Sequence, residues 1–234
     1  MKKFKILNLY ACLGGNRYKW DESAKQAGIE IEVTAVELDA DLAFMYQERF
    51  PNDIVILSDA HQYLLNHYKE FDFIWSSPPC PSHSRARYWN SSNYDTSTEV
   101  VYPDMKLYEE ILFLKHYFRT GNYVVENVIP YYDPLIEAQK RDRHLYWTDL
   151  KLPAVLSERN ISGIVSSAKN ELKLLSEIHD YDFSKYKGEQ PMLKIARNLV
   201  DYEAGKTILD VALGIYTKPK KVIGSLFDET YLTL

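Results

Sequence analysis

Four apolar runs in the first third of the chain, each leading into a stretch of helical periodicity, set the fold this sequence can reach. Residues 5–9, 31–36, 54–57 and 71–75 read as strands. Helices are expected over 17–27, where Gly28 stops the first, between Asp39 and Pro51, and over 61–68. Asp39 is placed to cap the second of these, whose Ala43, Tyr46 and Phe50 recur at helical spacing. A helix over 104–119 puts Leu107, Ile111, Leu114 and Phe118 on one face, and strands follow at 123–128 and 145–148. Such alternation predicts an α/β fold: a Rossmann-like, mainly parallel sheet with helices on both faces and right-handed crossovers. Ligands in these sheets sit at the carboxyl ends of the strands. Gly14, Gly15, Glu37, Asp59, Cys80 and Glu126 all fall at or near such ends, so the fold should gather them along one edge.

After residue 151 the pattern degrades. Residues 151–190 carry Pro153, Gly163 and Gly188 around a charged helix near 171–178, and 206–213 turn helical again. This predicts a small C-terminal appendage on the sheet.

Composition narrows the class further. The 234 residues suffice for one ordinary domain with a full core. No apolar run approaches the roughly 18 residues that span a membrane, and the short apolar run after Met1-Lys2-Lys3 leads straight into a glycine turn, unlike a signal peptide. The 2 cysteines, Cys12 and Cys80, form no disulfide framework and no metal-ligand spacing. A cytoplasmic protein with reduced thiols is expected. The net charge of −5 argues weakly against nucleic acid, but basic residues gather at Arg85/Arg87, Lys140/Arg141/Arg143 and Lys218/Lys220/Lys221. The 19 tyrosines offer aromatic faces on which exposed bases can stack, although most tyrosines serve as core or half-buried surface.

The chemistry concentrates in residues 75–87. An apolar run ends in Pro78 and Pro79, which cannot extend a central strand, and Cys80 follows, with Ser82, His83, Ser84, Arg85 and Arg87 behind it. A thiol delivered to a strand end beside cations is placed as a nucleophile, since neighbouring positive charge favours the thiolate. A lone cysteine is also commonly a small buried hydrophobe. Upstream, the first loop lacks the G-x-G-x-x-G spacing. Gly14-Gly15 serves either a tight turn or a close backbone approach to a ligand. Glu37 is placed to accept from ribose hydroxyls and Asp59 to receive an adenine amino group. Three such positions on successive strands point to an adenosine-containing cofactor.

The order of these elements resembles the DNA (cytosine-5)-methyltransferases. Asn8-Leu9-Tyr10-Ala11-Cys12-Leu13-Gly14-Gly15 resembles their first motif, with Asn8 and Cys12 where Asp and Gly are usual. Ala35-Val36-Glu37-Leu38-Asp39 resembles the second, and Asp59 fits the third. Ser77-Pro78-Pro79-Cys80-Pro81-Ser82-His83-Ser84 resembles the catalytic Pro-Pro-Cys-Gln-x-Phe-Ser, with Pro81 and His83 replacing Gln and Phe. Val125-Glu126-Asn127-Val128 matches Glu-Asn-Val, Gln139 to Arg143 matches Gln-x-Arg-x-Arg, and Arg197-Asn198-Leu199-Val200 weakly resembles the last motif. The likeness spans residues 5–148 and returns around 195–215.

The resemblance implies the class I S-adenosylmethionine-dependent methyltransferase fold. A cofactor-binding and catalytic domain would occupy 1–148, a reduced target-recognition segment 149–195, a returning helix 196–217 and a tail 218–234. It implies S-adenosyl-L-methionine at Tyr10, Gly14, Gly15, Glu37, Leu38, Asp59, Ala60, Pro79 and Asn198. Catalysis would fall to Cys80, Glu126, Arg141 and Arg143. Cys80 adds to carbon 6 of a flipped-out cytosine, Glu126 meets ring nitrogen 3, and Arg141 or Arg143 holds the base's carbonyl oxygen. Ser82, Ser84, Arg85 and Arg87 would touch the nucleic acid, on a polar loop over 82–103 that closes behind the base. The implied partner is double-stranded DNA, with a partner subunit as a further source of specificity; neither membrane nor metal is implied. RNA cytosine-5 methylation, methylation at an amino nitrogen and a non-catalytic DNA-binding relative are the competing readings.

Overall fold

The computed structural model describes residues 3–85, 102–159, 161, 164 and 169–218. Arg87, Gly163, Lys220 and Lys221, most of the 82–103 loop and most of the 218–234 tail lie outside the described residues.

Among the described residues, seven strands form one sheet: β1 (Phe4–Leu9), β2 (Ile31–Glu37), β3 (Ile54–Leu57), β4 (Phe73–Ser76), β5 (Asn122–Val128), β6 (Gln139–Arg141) and β7 (His144–Trp147). Their order is β3-β2-β1-β4-β5-β7-β6. The first five run parallel, and β7 lies antiparallel to both β5 and β6. The helices among the described residues are α1 (Trp20–Ala27), α2 (Ala40–Arg49), α3 (Ala60–His67), α4 (Lys106–Tyr117), α5 (Glu171–His179), α6 (Met192–Asn198) and α7 (Tyr202–Ala212). The expected α/β class is the observed one.

Alternation along the strands divides the core into two layers. Phe73 and Trp75 of β4 meet Trp20 of α1 and Ile208 and Leu209 of α7. Ile74, one residue out of phase, meets Leu64 of α3 and Leu107, Ile111 and Leu114 of α4. Each such fully buried side chain contributes about 1.5–3 kcal/mol relative to exposure. A third cluster joins Leu13, Leu42 and Met45 to Leu175, Phe183, Tyr186, Ile195 and Leu199, so the region beyond residue 160 packs onto the first loop and α2.

Local signals set most ends. Gly28 closes α1 with φ 67°, and the Asp39 carboxylate caps α2 by accepting from the amides of Asp41 and Leu42. Several elements differ from expectation. The single helix expected over 196–217 is two, α6 and α7, parted at residues 199–201. The first helix begins at Trp20 rather than residue 17, because the Arg17 guanidinium is buried against Asp53 and Asp21. The fourth strand begins at Phe73, since the Asp72 carboxylate accepts from the Lys5 amide and its carbonyl from the Asn122 amide. Residues 139–143, a basic run in sequence, form a strand and turn, with Asp142 at φ 48° reversing the chain into β7. The short α6 has no strong sequence periodicity and is held by the third cluster.

Candidate active site

The loop after β1 folds sharply through Tyr10 at φ 56°, Cys12 at φ 48° and Gly14 at φ 68°. Cys12 thus holds a left-handed backbone where glycine is preferred. Its amide donates to Glu37 Oε2 at 2.8 Å. The other Glu37 oxygen accepts from the amides of Leu38 and Asp39 at 2.8 and 3.0 Å, so this carboxylate joins the ends of β1 and β2. Burial, reinforced by Glu37, pushes the Cys12 thiol up to about 12. Asn8 is fully buried and paired with Asn16, whose side-chain amide donates to it at 2.7 Å; its uncharged side chain closes the turn from within.

The two glycines leave room for the protein itself. A Cβ on Gly14 would lie 2.4 Å from the Phe50 ring, and one on Gly15 would lie 2.4 Å from the Val200 carbonyl oxygen. At neighbouring strand ends, Leu38 is 69% exposed and Asp59 caps α3 by accepting from the Gln62 amide. Ala60 is buried behind Asp59. Asn198, exposed, ends α6 two residues before the Val200 contact.

Cys80 sits on a turn tied down on both sides. Its carbonyl accepts from the amides of His83 and Ser84, both at 3.0 Å. The Pro78 carbonyl, one residue before Pro79, accepts from the Asn127 side chain at 2.9 Å. The indole N–H of Trp75 donates to Ser77 Oγ at 2.8 Å, and that hydroxyl donates to Glu126 Oε2 at 2.9 Å. Glu126 Oε1 faces His144 Nε2 at 3.4 Å. Cys80 and Glu126, expected together from their strand-end positions, do meet at one edge. Burial raises the Cys80 thiol above its ordinary range and Glu126 raises it further, against opposing pulls from Arg143 and Lys194.

The cations around Cys80 correct the sequence expectation. Arg85 turns its Nε to the Pro130 carbonyl at 2.9 Å, and Arg143 and Lys194 act on the thiol instead. Desolvation thus outweighs these cations and disfavours the thiolate. Arg141 bonds the carbonyls of Lys140, Leu152 and Pro153 and the Gln139 side chain, which fastens the β6–β7 hairpin to the next segment. Of the two arginines weighed for the base's oxygen, Arg143 is thus the one beside Cys80. Ser82 Oγ accepts from the Asp104 amide at 3.1 Å, joining the two ends of the long loop, and Ser84 bridges Pro130.

One centre escaped the sequence reading. Glu110, fully buried on α4, accepts from Tyr10 OH at 2.5 Å and from Ser76 Oγ at 2.6 Å, and it meets His61 Nδ1 at 3.1 Å. It connects the first loop, the strand before Cys80 and the first turn of α3. Its signal was present, an acid at helical spacing between Leu107 and Leu114 on the apolar face. Tyr10 accordingly points into this network, and its phenol is raised by burial and by Glu110.

Residues 4–111 match the family model of C-5 cytosine-specific DNA methylases. That stretch is similar to the C-5 cytosine-specific DNA methylases. It contains the first loop, Glu37, Asp59 and the Cys80 turn. A mutant of Spodoptera frugiperda DNMT2 is 26% identical to this chain, with 54% of this chain and 36% of that one covered and a TM-score of 0.37. This chain thus spans about a third of the length of that structure. The Entamoeba histolytica methyltransferase EhMeth is 10% identical with a TM-score of 0.52, covering 92% of this chain and 99% of its own, which shows a shared fold. The fold is that of the class I methyltransferases. No curated protein matches the chain. Among the described residues there is no group of three or more His, Cys, Asp or Glu that could hold a metal, and no helix long and apolar enough to cross a membrane.

Proposed function

We propose that this chain transfers a methyl group from S-adenosyl-L-methionine to carbon 5 of a cytosine flipped out of double-stranded DNA, through a covalent adduct with Cys80. The observation that carries this reading is the joint fastening of the Cys80 turn and Glu126: Asn127 holds Pro78, and Ser77 holds the Glu126 carboxylate. A nucleophile and an acid–base group are thereby fixed to one rigid strand pair.

The strand ends suit the cofactor. Leu38 is an exposed apolar surface for a ring, with the Asp59 carboxylate on the neighbouring connection as acceptor for an amino group. Glu37 already accepts three backbone amides. A carboxylate offers about four acceptor sites, so roughly one remains for a ribose hydroxyl. When bound, S-adenosyl-L-methionine supplies an electrophilic methyl group.

The residues account for activation of the base. Carbon 5 of cytosine is a poor nucleophile until carbon 6 is attacked. As the Cys80 sulfur bonds carbon 6, the thiol proton leaves and ring nitrogen 3 gains one. Glu126 takes the first and supplies the second, so the net movement is one proton from sulfur to nitrogen. The electron pair released toward carbon 5 forms the new bond to methyl. A base then removes the carbon 5 proton, the carbon–sulfur bond breaks, and the nitrogen 3 proton returns to sulfur through Glu126. Arg143 holds the base's carbonyl oxygen. None of this is reachable in a stacked duplex, so the base is extruded. Residues 149–195 are read as a reduced recognition segment, in which Lys185 and Lys187 are exposed beside buried Phe183 and Tyr186.

Incubation with labelled S-adenosyl-L-methionine and duplex DNA or RNA tests the reading. Label should enter DNA, a duplex bearing 5-fluorocytosine should form a denaturation-resistant adduct, and Cys80→Ser should abolish both. Label in RNA alone would transfer the mechanism to that substrate. Transfer retained in Cys80→Ser would overturn it.

A further inference from the structure

Glu126 is gripped on two sides by groups of different character. At Oε2 the Ser77 hydroxyl donates, and Ser77 itself receives the Trp75 N–H, so this chain of bonds runs toward the carboxylate. At Oε1 stands His144 Nε2, 3.4 Å away. The sheet register produces this pairing. Glu126 lies opposite Tyr146 and Val128 opposite His144, so Glu126 and His144 are diagonal neighbours on one face of an antiparallel pair.

We propose that His144 is a positioning residue for Glu126, accepting from its carboxyl group when that is protonated and donating to it when it is ionised. The inference rests on the reading of Cys80 and Glu126 given above. An imidazole can do this because one ring nitrogen donates or accepts according to tautomer. A hydroxyl already committed to donating to the carboxylate, as Ser77 is, serves the ionised form. The groups that face His144 are Glu126 across the strands, Arg143 and Asp142 in the hairpin turn, and the Tyr146 ring, whose centroid is 6.4 Å away. Burial holds the ring neutral, and Glu126 partly opposes that. Neutrality is what lets the nitrogen serve in both directions. In the reaction, Glu126 loses a proton to ring nitrogen 3 as it gains one from sulfur. Through both events His144 holds Oε1 in place, and it keeps no proton at the end.

The variants to make are His144→Phe, which keeps a flat ring without nitrogen, and His144→Gln, which keeps polarity. Single-turnover methyl transfer to DNA should fall by at least about tenfold in the Phe variant, with partial recovery in Gln. The KM for DNA should stay within about twofold of native, and the acid limb of the rate profile should shift. Native turnover and an unshifted profile in both variants would overturn the inference. A second readout needs no activity. With 15N-labelled histidine, the His144 imidazole signals should change, and their titration midpoint move down, in Glu126→Gln, because the carboxylate that favours imidazolium is gone. Signals unaltered by that substitution would refute the pairing whatever the enzyme does. If native protein forms no adduct with 5-fluorocytosine while the NMR coupling is present, the reading of Cys80 fails and the pairing stands.

Discussion

The side-chain amide of Asn127 donates to the carbonyl oxygen of Pro78 at 2.9 Å, so the strand that carries Glu126 also holds the turn that carries Cys80. Asn127 is 2% exposed, and its own oxygen accepts from the Val128 amide, which fixes which way the side chain points.

Asn127→Ala should therefore act on both halves of the site. Leaving the Pro78 carbonyl without its partner costs about 1–3 kcal/mol, and about 2–4 °C of Tm per kcal/mol is expected for a chain of this size. Misplacing the thiol by even a fraction of an ångström should reduce methyl transfer more than cofactor affinity. Thermal melts with single-turnover assays check this. Unchanged transfer beside a lowered Tm would confine Asn127 to stability.

Glu37 carries a second expectation. Glu37→Gln keeps the shape but turns an NH2 group toward one of the backbone amides it now accepts from. The first loop should loosen, and calorimetry should show cofactor affinity reduced by about tenfold, or about 1.4 kcal/mol. An unaltered dissociation constant would remove Glu37 from the cofactor site.

His179 predicts acid sensitivity. Burial, aided by Arg159, Arg49 and Arg143, holds it down to about 3 from an ordinary 6.5. Below its ordinary value the unfolded chain takes up a proton that the folded chain refuses. Its contribution is thus complete above that value and declines as pH falls toward the folded one, by up to about 1.4 kcal/mol per pH unit. His61 has the opposite sign. Its hydrogen bond to Glu110 raises it, so its contribution is full at low pH and fades as pH rises through the raised value. Urea unfolding of native protein and His179→Leu between pH 4 and 7 should show a shallower acid loss in the variant. Identical slopes would exclude His179 as the titrating group.

The strand–helix alternation and its punctuation by Gly28, Asp39 and Pro51 were sufficient for the sheet and for the edge that carries the candidate site. These signals are local: a glycine's left-handed backbone, a carboxylate at a helix start and a proline's missing N–H act within a few residues. The strand ends followed from the same pattern, and with them the shared position of Glu37, Asp59, Cys80 and Glu126. What sequence could not decide was direction and partnership at long range. Which arginine faces Cys80 depends on a hairpin turn at Asp142 and on carbonyls of residues 152 and 153 that claim Arg141. Whether the thiol is ionised depends on burial outweighing Arg143 and Lys194, a balance that exists only after the chain has closed around it. Gly15 is small because Val200, far along the chain, lies against it. Glu110 lies on α4 and His144 on β7, both far along the chain from the first loop and the Cys80 turn. Only packing of the two helix layers on the sheet, and the register of two antiparallel strands, bring these side chains to the groups they hold.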